Sequence, residues 1–160
     1  MTPASASSAD MAAADIRQAV PLLGIVSMEA SLRFYVDGLG FTMTNKWIDE
    51  GVLRWCWLQH GGAAIMLQEY RPEWVPGTGA KSPHGKGATV GLGVSLNFMC
   101  RDAIAFYKAV VARGIAAKRP FVGNRMWVTG ITDPDGYELF FESETDAPEE
   151  SEWTEPPSGP

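Results

Sequence analysis

The feature of this sequence that most constrains its fold is a repeated order of predicted elements. A predicted strand, a helix and three further strands fill the first half of the chain, and the same order returns in the second half. The two predicted helices carry the same dipeptide at matching places, Phe34-Tyr35 in the first and Phe106-Tyr107 in the second. Such a repeat indicates that one βαβββ module has been duplicated. Each module is expected to cover one sheet face with its helix and to leave the other face for a cavity.

The predicted modules occupy residues 17–70 and 89–143, and residues 71–88 separate them. That segment is rich in Gly and Pro, so we interpret it as a linker and as a possible flap over a site. Residues 1–16 are predicted to be a flexible tail. The acidic, Pro-rich residues 144–160 are predicted to be a second tail, disordered unless Trp153 docks on the domain.

The boundaries of the predicted elements follow from apolar periodicity, capping residues and turn residues. The predicted helices span about 28–38 and 102–113. The predicted strands are 18–26, 41–48, 52–60 and 63–70 in the first module, and 89–100, 116–122, 125–132 and 137–142 in the second. The fold class predicted is therefore α+β, with eight strands that form incomplete barrels.

Composition narrows the possible partners and the compartment. The net charge is −6 and the pI is about 4.9, which disfavours nucleic acid because phosphate binding needs a clustered basic surface. No apolar run approaches the roughly 20 residues that span a bilayer, and the N-terminus lacks the pattern of a secretory signal. The two cysteines, Cys56 and Cys100, lie in apolar runs and suit buried thiols in a reducing cytoplasm.

The turn Asp133-Pro134-Asp135-Gly136 leads into a predicted strand in which apolar and acidic residues share the two faces. Alternation places Tyr137, Leu139 and Phe141 on one face and Glu138, Phe140 and Glu142 on the other. Glu138 is expected to point into the cavity. A buried carboxylate needs a partner or its pKa rises, and we expect that partner to be a ligand cation or Arg125.

Four stretches together resemble the vicinal oxygen chelate superfamily, which includes glyoxalase I, bleomycin-resistance proteins, extradiol dioxygenases and fosfomycin-resistance enzymes. They are SLRFYVDGLGF (31–41), GAAIMLQE (62–69), VSLNFMCRD with AFYKAVVARGI (94–115) and DPDGYELFFE (133–142). The resemblance covers about residues 18–143, with the motifs in the family's order and spacing. It implies the paired βαβββ fold, and it implies chemistry less firmly, since this fold hosts many functions.

Catalytic members of that family hold one divalent metal with four inward-facing side chains, typically His, Glu or Gln. The resemblance places these positions at Val20, Met66, Ser95 and Phe140. Valine and phenylalanine have no donor atom, a thioether is soft, and a neutral hydroxyl is a poor ligand. We therefore predict no metal and no other cofactor. An alignment shifted by two residues would bring other side chains to the inward face: Gln18 or Asn97, Gln68, and Glu138 or Glu142.

Without a metal, the matching positions describe an apolar, aromatic cavity with a few polar groups, which is typical of small-molecule pockets. Flat tryptophan rings favour planar or cationic ligands, although each ring can instead pack a core or a dimer interface. The predicted ligand-binding residues are Trp47, Trp55, Trp57, Met66, Gln68, Ser95, Asn97, Trp127, Glu138 and Phe140.

The sequence is compatible with three functions from different classes. The first is a cytoplasmic homodimer that sequesters a planar or cationic organic compound, as bleomycin-resistance proteins do. The second is a metal-dependent lyase, isomerase or extradiol dioxygenase whose ligands have moved. The third is a non-catalytic structural or regulatory homodimer. The sequence does not favour an enzyme, because it shows no Ser-His-Asp or Cys-His arrangement and no phosphate-binding Gly-rich loop.

Overall fold

The computed structural model describes residues 17–69 and 90–155. The predicted N-terminal tail at 1–16, the predicted linker at 71–88 and the last residues of the acidic tail lie outside the described residues.

The two modules have the predicted order and the same sheet topology. The first contains β1 (Leu22–Ile25), α1 (Met28–Leu32), a π-helical continuation (Arg33–Gly38), β2 (Thr42–Asp49), β3 (Val52–His60) and β4 (Ala63–Glu69). The second contains β5 (Ser95–Met99), α2 (Ala103–Ala112), β6 (Phe121–Gly123), β7 (Met126–Thr132) and β8 (Glu138–Glu144). The sheet orders are β1-β4-β3-β2 and β5-β8-β7-β6. In each sheet the first strand pairs in parallel with the last strand and the other pairs are antiparallel. The α+β prediction of two unclosed βαβββ sheets is confirmed.

Local hydrogen bonds explain where the helices begin. Ser27 has extended backbone angles, and its hydroxyl accepts a hydrogen bond from Ala30 N–H at 3.3 Å. Asp102 caps α2 in the same way, accepting from Ala105 N–H at 2.9 Å. Neither helix in the described parts of the chain is long and apolar enough to cross a membrane.

Two predicted strands of the second module are shorter than expected. Residues 90–93 form a turn rather than the start of β5, because the Gly91 N–H donates to Asp135 C=O at 2.8 Å. A Cβ at Gly91 would collide with the backbone of Gly136 and Tyr137. The prediction of a strand over 116–122 was also too long. Pro120 lacks an N–H, and regular pairing begins only at Phe121.

Each sheet buries one face under its helix and leaves the other face open. The first sheet buries Leu23, Ile25, Cys56, Leu58, Ile65 and Leu67, and the second buries Val122, Ile131, Leu139 and Phe141. The alternation predicted for β8 is therefore confirmed. The rings of Phe41 and Phe98 lie 6.0 Å apart and carry the core from the first module into the second.

The turn before β8 connects the second module to the first through hydrogen bonds to α1 and to the residues that flank it. The Tyr35 hydroxyl donates a hydrogen bond to Asp133 Oδ2 at 2.8 Å, and the Val26 N–H donates to Asp135 Oδ1 at 3.0 Å. The Ser31 hydroxyl donates to Asp135 Oδ2 at 3.4 Å. Both aspartates are buried, with 5% and 6% of their surface exposed. The motifs around residues 31–41 and 133–142 are thus two halves of one contact.

The C-terminal segment packs along β6, the edge strand of the second sheet. The Val122 N–H donates to Ser151 C=O at 2.8 Å, and the Glu150 N–H donates back to Val122 C=O at 2.9 Å. The Trp153 ring lies 5.7 Å from the Tyr107 ring. Of the two outcomes that the sequence leaves for this segment, disorder or docking of Trp153, the structure shows docking over residues 144–155.

The Tyr35–Asp133 bond makes a prediction about alkaline stability. Burial, and then the charge of Asp133, raise the pKa of Tyr35 above its usual value. An unfolded tyrosine ionises near pH 10, so the folded state holds this proton when the unfolded state has lost it. The stabilisation is present below about pH 10 and is lost as the pH rises further. We expect Tyr35→Phe to lower the free energy of unfolding at pH 7 by about 1–3 kcal/mol, and therefore to lower the melting temperature. Between pH 9 and pH 11 the variant should lose less stability than the wild type.

Melting temperature followed by circular dichroism across that range tests this. Tyr107→Phe is the matched control, because its ring packs against Trp153 rather than against a buried carboxylate. Equal alkaline slopes for Tyr35→Phe and the wild type would contradict the prediction.

Candidate functional site

The open face of the first sheet carries a neutral, aromatic surface. Strand register brings its residues into rows across four strands. One row contains Trp47, Trp55, Gln68 and Gly24, and the next contains Asn45, Trp57, Met66 and Leu22. The two middle strands contribute half-buried side chains, whereas Leu22 and Trp47 at the edges are 51% and 46% exposed. The structure thus brings together five of the predicted site residues, and none of the eight residues in these rows is charged.

The open face of the second sheet is more polar. Its rows follow from the pairing of β5, β8 and β7, with Ser95, Glu138 and Thr132 in one row and Asn97, Phe140 and Gly130 in the next. A third row contains Phe121, Val128, Glu142 and Met99. Of the predicted site residues, this face carries Ser95, Asn97, Glu138 and Phe140.

Trp127 does not lie on this open face. Its register partners are Ser143 and Val122, which are buried on the helix side of the sheet. Because neighbouring residues in a strand point to opposite faces, Trp127 is turned away from Phe140 and Glu138. The expectation that this ring shares a cavity face with the other predicted residues is therefore corrected.

Glu138 has a different environment from the one expected. Its carboxylate accepts a hydrogen bond from the Thr132 hydroxyl at 2.7 Å and lies 3.5 Å from Lys118 Nζ. The side chain is 37% exposed, and the Thr132 bond together with Lys118 lowers its pKa rather than raising it. The Arg125 guanidinium pairs with Asp146 at 3.3 Å, so Lys118, not Arg125, is the cation beside Glu138. Lys118 was not predicted as a site residue, because it lies in the stretch expected to form a regular strand over 116–122.

Gly130 makes room for this arrangement. A Cβ at that position would lie 3.2 Å from Lys118 Cδ and 3.3 Å from Phe140 Cε1. The lysine stem and the phenylalanine ring therefore cover the same backbone position of β7. Together they close part of the open face of the second sheet.

A groove of about 770 Å³ lies where the two modules meet. It is bounded by the β3–β4 hairpin at His60 on one side and by β5 and the start of α2 on the other. Phe98 and Phe106 provide apolar lining. Cys100 also lines it, but burial raises the pKa of this thiol and its Sγ donates to Glu142 C=O at 3.3 Å. That environment does not favour a nucleophilic thiolate.

The side chains at the family's metal positions do not fit a divalent ion. Met66 pairs with Leu22, Phe140 pairs with Asn97, and Val20 precedes β1. None of these offers a hard, anionic donor. Over residues 17–69 and 90–155, no three His, Cys, Asp or Glu side chains lie close enough together to hold a metal ion. Among the residues that a shifted alignment would use, Asn97 and Glu142 do touch, with Asn97 Nδ2 donating to Glu142 Oε1 at 2.6 Å.

Three solved structures of related fold resemble the chain. An antibiotic-binding protein from Streptomyces sp. CB03234 is 19% identical, with a TM-score of 0.60 over 81% of this chain and 98% of that one. A bleomycin-binding protein complexed with bleomycin is 19% identical, with a TM-score of 0.57 over 81% and 99%. A bleomycin resistance determinant encoded on transposon Tn5 is 20% identical, with a TM-score of 0.59 over 82% and 100%.

Among proteins of curated function, no sequence matches this chain. The solved structures share the fold at low identity and by themselves carry no activity over to this protein. A family model of the Glyoxalase/Bleomycin resistance protein/Dioxygenase superfamily matches residues 18–141, which run from before β1 into β8. The chain belongs to this superfamily.

Proposed function

We propose that this protein binds a planar, neutral or cationic organic molecule and does so without a metal. The observation that carries the proposal is the neutral face of the first sheet, where Trp47, Trp55 and Trp57 lie beside Met66 and Gln68. Aromatic rings with the amide groups of Asn45 and Gln68 beside them suit a flat ligand that stacks and forms a few hydrogen bonds.

Binding explains the site better than catalysis does. Val20, Met66, Ser95 and Phe140 supply no ligand set for the metal on which catalytic relatives depend. Two of the solved structures of similar fold are an antibiotic-binding protein and a bleomycin-binding protein. Their ligands support a small organic ligand for this chain as well.

The proposed cavity needs a second copy of the chain. Both sheets leave one face open, and apolar side chains at their edges are exposed, Val26 to 66% and Met99 to 65%. Exposed apolar surface of this kind is typical of an interface. A homodimer would cover these faces and turn two open surfaces into enclosed sites.

The ligand prediction concerns Trp57. We expect acridine and N-methylacridinium, two flat tricyclic probes, to quench tryptophan emission and to bind with micromolar affinity. Trp57→Ala is expected to weaken both at least tenfold, because it removes stacking surface between Asn45 and Met66. Trp153→Ala is the control, since that ring packs on Tyr107 and should leave affinity unchanged. Absence of binding by either probe and by bleomycin in calorimetry would count against the proposed function.

The metal prediction concerns the protein as purified without chelator. We expect far less than one equivalent of Ni, Zn, Mn or Fe per chain by elemental analysis, because the family positions lack donor atoms. Added EDTA should change neither the melting temperature nor probe affinity. A stoichiometric metal that is lost in Gln68→Ala or Glu138→Ala would instead support the metal-dependent enzyme alternative.

The assembly prediction concerns solution mass. Light scattering at about 10 μM should give twice the chain mass of 17.4 kDa. Placing a charge on the exposed edge, as in Met99→Glu, should shift the protein towards the monomer while its circular dichroism stays unchanged, because the substitution buries a carboxylate only in the dimer. A wild-type monomer at this concentration would refute the homodimer.

A further inference from the structure

We propose that Glu142, positioned by Asn97, is the residue that selects a cationic ligand, and that Lys118 keeps Glu138 from doing so. The inference rests on the proposed function and assigns the charge preference for the ligand to one carboxylate on the open face of the second sheet. It follows from strand register and from the partners of the two glutamates on the open face of the second sheet.

Register identifies Glu142 as the counterpart of Gln68. In the first module Leu22 lies five residues before the cap Ser27 (27 − 22) and pairs with Met66. In the second module Asn97 lies five residues before the cap Asp102 (102 − 97) and pairs with Phe140. The next open-face residue is Gln68 in β4 and Glu142 in β8. The duplicated modules therefore present a neutral amide on one sheet and a carboxylate on the other at the same position.

The two glutamates of β8 differ in their partners. Glu138 has a cation beside it, Lys118, as well as the Thr132 hydroxyl. Glu142 forms no salt bridge with any residue in the described parts of the chain, and its Oε1 accepts only the neutral amide of Asn97. An incoming cation at Glu138 would meet the like charge of Lys118, whereas no Lys or Arg of the described residues lies within salt-bridge distance of Glu142.

The surroundings of Glu142 hold its carboxylate in place. The Cys100 N–H donates to the Glu142 backbone carbonyl at 2.8 Å, which fixes the strand at this residue. Asn97 can approach a carboxylate only with its NH₂ group, because a carboxylate has no proton to give, so the short contact also orients the amide. Phe140 precedes it by two residues on the same face, about 7 Å away along the strand. Glu142 is half-buried, whereas Asn97 and the hydrogen bond between the two side chains are exposed, so a ligand can reach this carboxylate.

These contacts define how a flat cationic ligand would bind to this face. Its aromatic plane would lie on rings such as Phe140, and its cationic group would reach the free oxygen of Glu142. A neutral ligand of the same shape would keep the stacking and lose the charge attraction. The Lys118 side chain is 66% exposed, and its ammonium group competes with a ligand cation for the carboxylate of Glu138.

The test compares N-methylacridinium, a fixed cation, with acridine, which is uncharged near pH 8. We expect the wild type to prefer the cation, and Glu142→Gln to reduce that preference about tenfold while acridine affinity stays constant. Lys118→Met combined with Glu138→Gln removes the whole ion pair from the same face and is the matched control, which should change the preference less than twofold. Lys118→Met should increase affinity for the cation several-fold, and Lys118→Met combined with Glu138→Gln should abolish that gain.

Asn97→Ala separates positioning from direct contact. It should reduce the cation preference in the wild-type background and have no further effect in Glu142→Gln. If Glu142→Gln leaves the preference intact, or if the double variant Lys118→Met with Glu138→Gln removes it, the inference is wrong. If both probes bind the wild type with equal affinity, the inference is wrong while the proposed function stands. If neither probe binds, the inference is wrong, and if bleomycin does not bind either, the proposed function fails with it.

Discussion

The buried turn at Asp133 and Asp135 is the contact on which the arrangement of the two modules depends. Taking two carboxylates out of water is unfavourable, and burial does raise the pKa of both groups. Hydrogen bonds from Tyr35 and Val26 in the first module, and from backbone N–H groups of the turn itself, oppose that cost. Because those bonds need one relative placement of α1 and the turn, they specify how the modules meet more than they add to stability.

That dependence explains why two distant motifs occur together in one chain. Ser31 and Tyr35 supply hydroxyls from the helix, and the turn supplies acceptors 104 and 98 residues later along the sequence. The Tyr137 hydroxyl adds a bond back to the Gly24 carbonyl at 3.0 Å. The relative position of the two open faces is therefore fixed by two contacts, the polar one at Asp133 and the aromatic one between Phe41 and Phe98. Neither contact uses the side chains of the open faces.

Much of the fold could be predicted from the sequence because periodicity and capping are local signals. The repeated element order, the Ser27 and Asp102 caps and the alternation of Tyr137, Leu139 and Phe141 all reappear in the structure. The environment of the open faces could not be predicted as well. The sheet face on which Trp127 lies changes with a register shift of a single residue. The cation beside Glu138 is a lysine from an irregular segment before β6. Alternation predicts the face of Glu142 correctly, but the partners that distinguish it from Glu138, Asn97 for one and Lys118 for the other, come only from the structure.

The contrast between the two open faces illustrates what duplication makes available. The modules share topology and register, yet one face carries tryptophans and a glutamine while the other carries glutamates and a lysine. Because the positions are equivalent, a single substitution such as glutamine to glutamate changes the charge of a site without changing its scaffold.

The strand-like pairing of residues 150–153 with β6 has a consequence for how this protein avoids self-association in the wrong geometry. An uncovered edge strand presents a row of free N–H and C=O groups that can template pairing with another sheet. Here the backbone of Val122 is already satisfied on its outer side by Ser151 and Glu150. Shortening the chain at the apparent end of the repeat, near Ser143, would strip that cover and leave a hydrogen-bonding edge open to any neighbouring chain. The acidic C-terminal segment thus protects the edge of the second sheet from pairing with another chain.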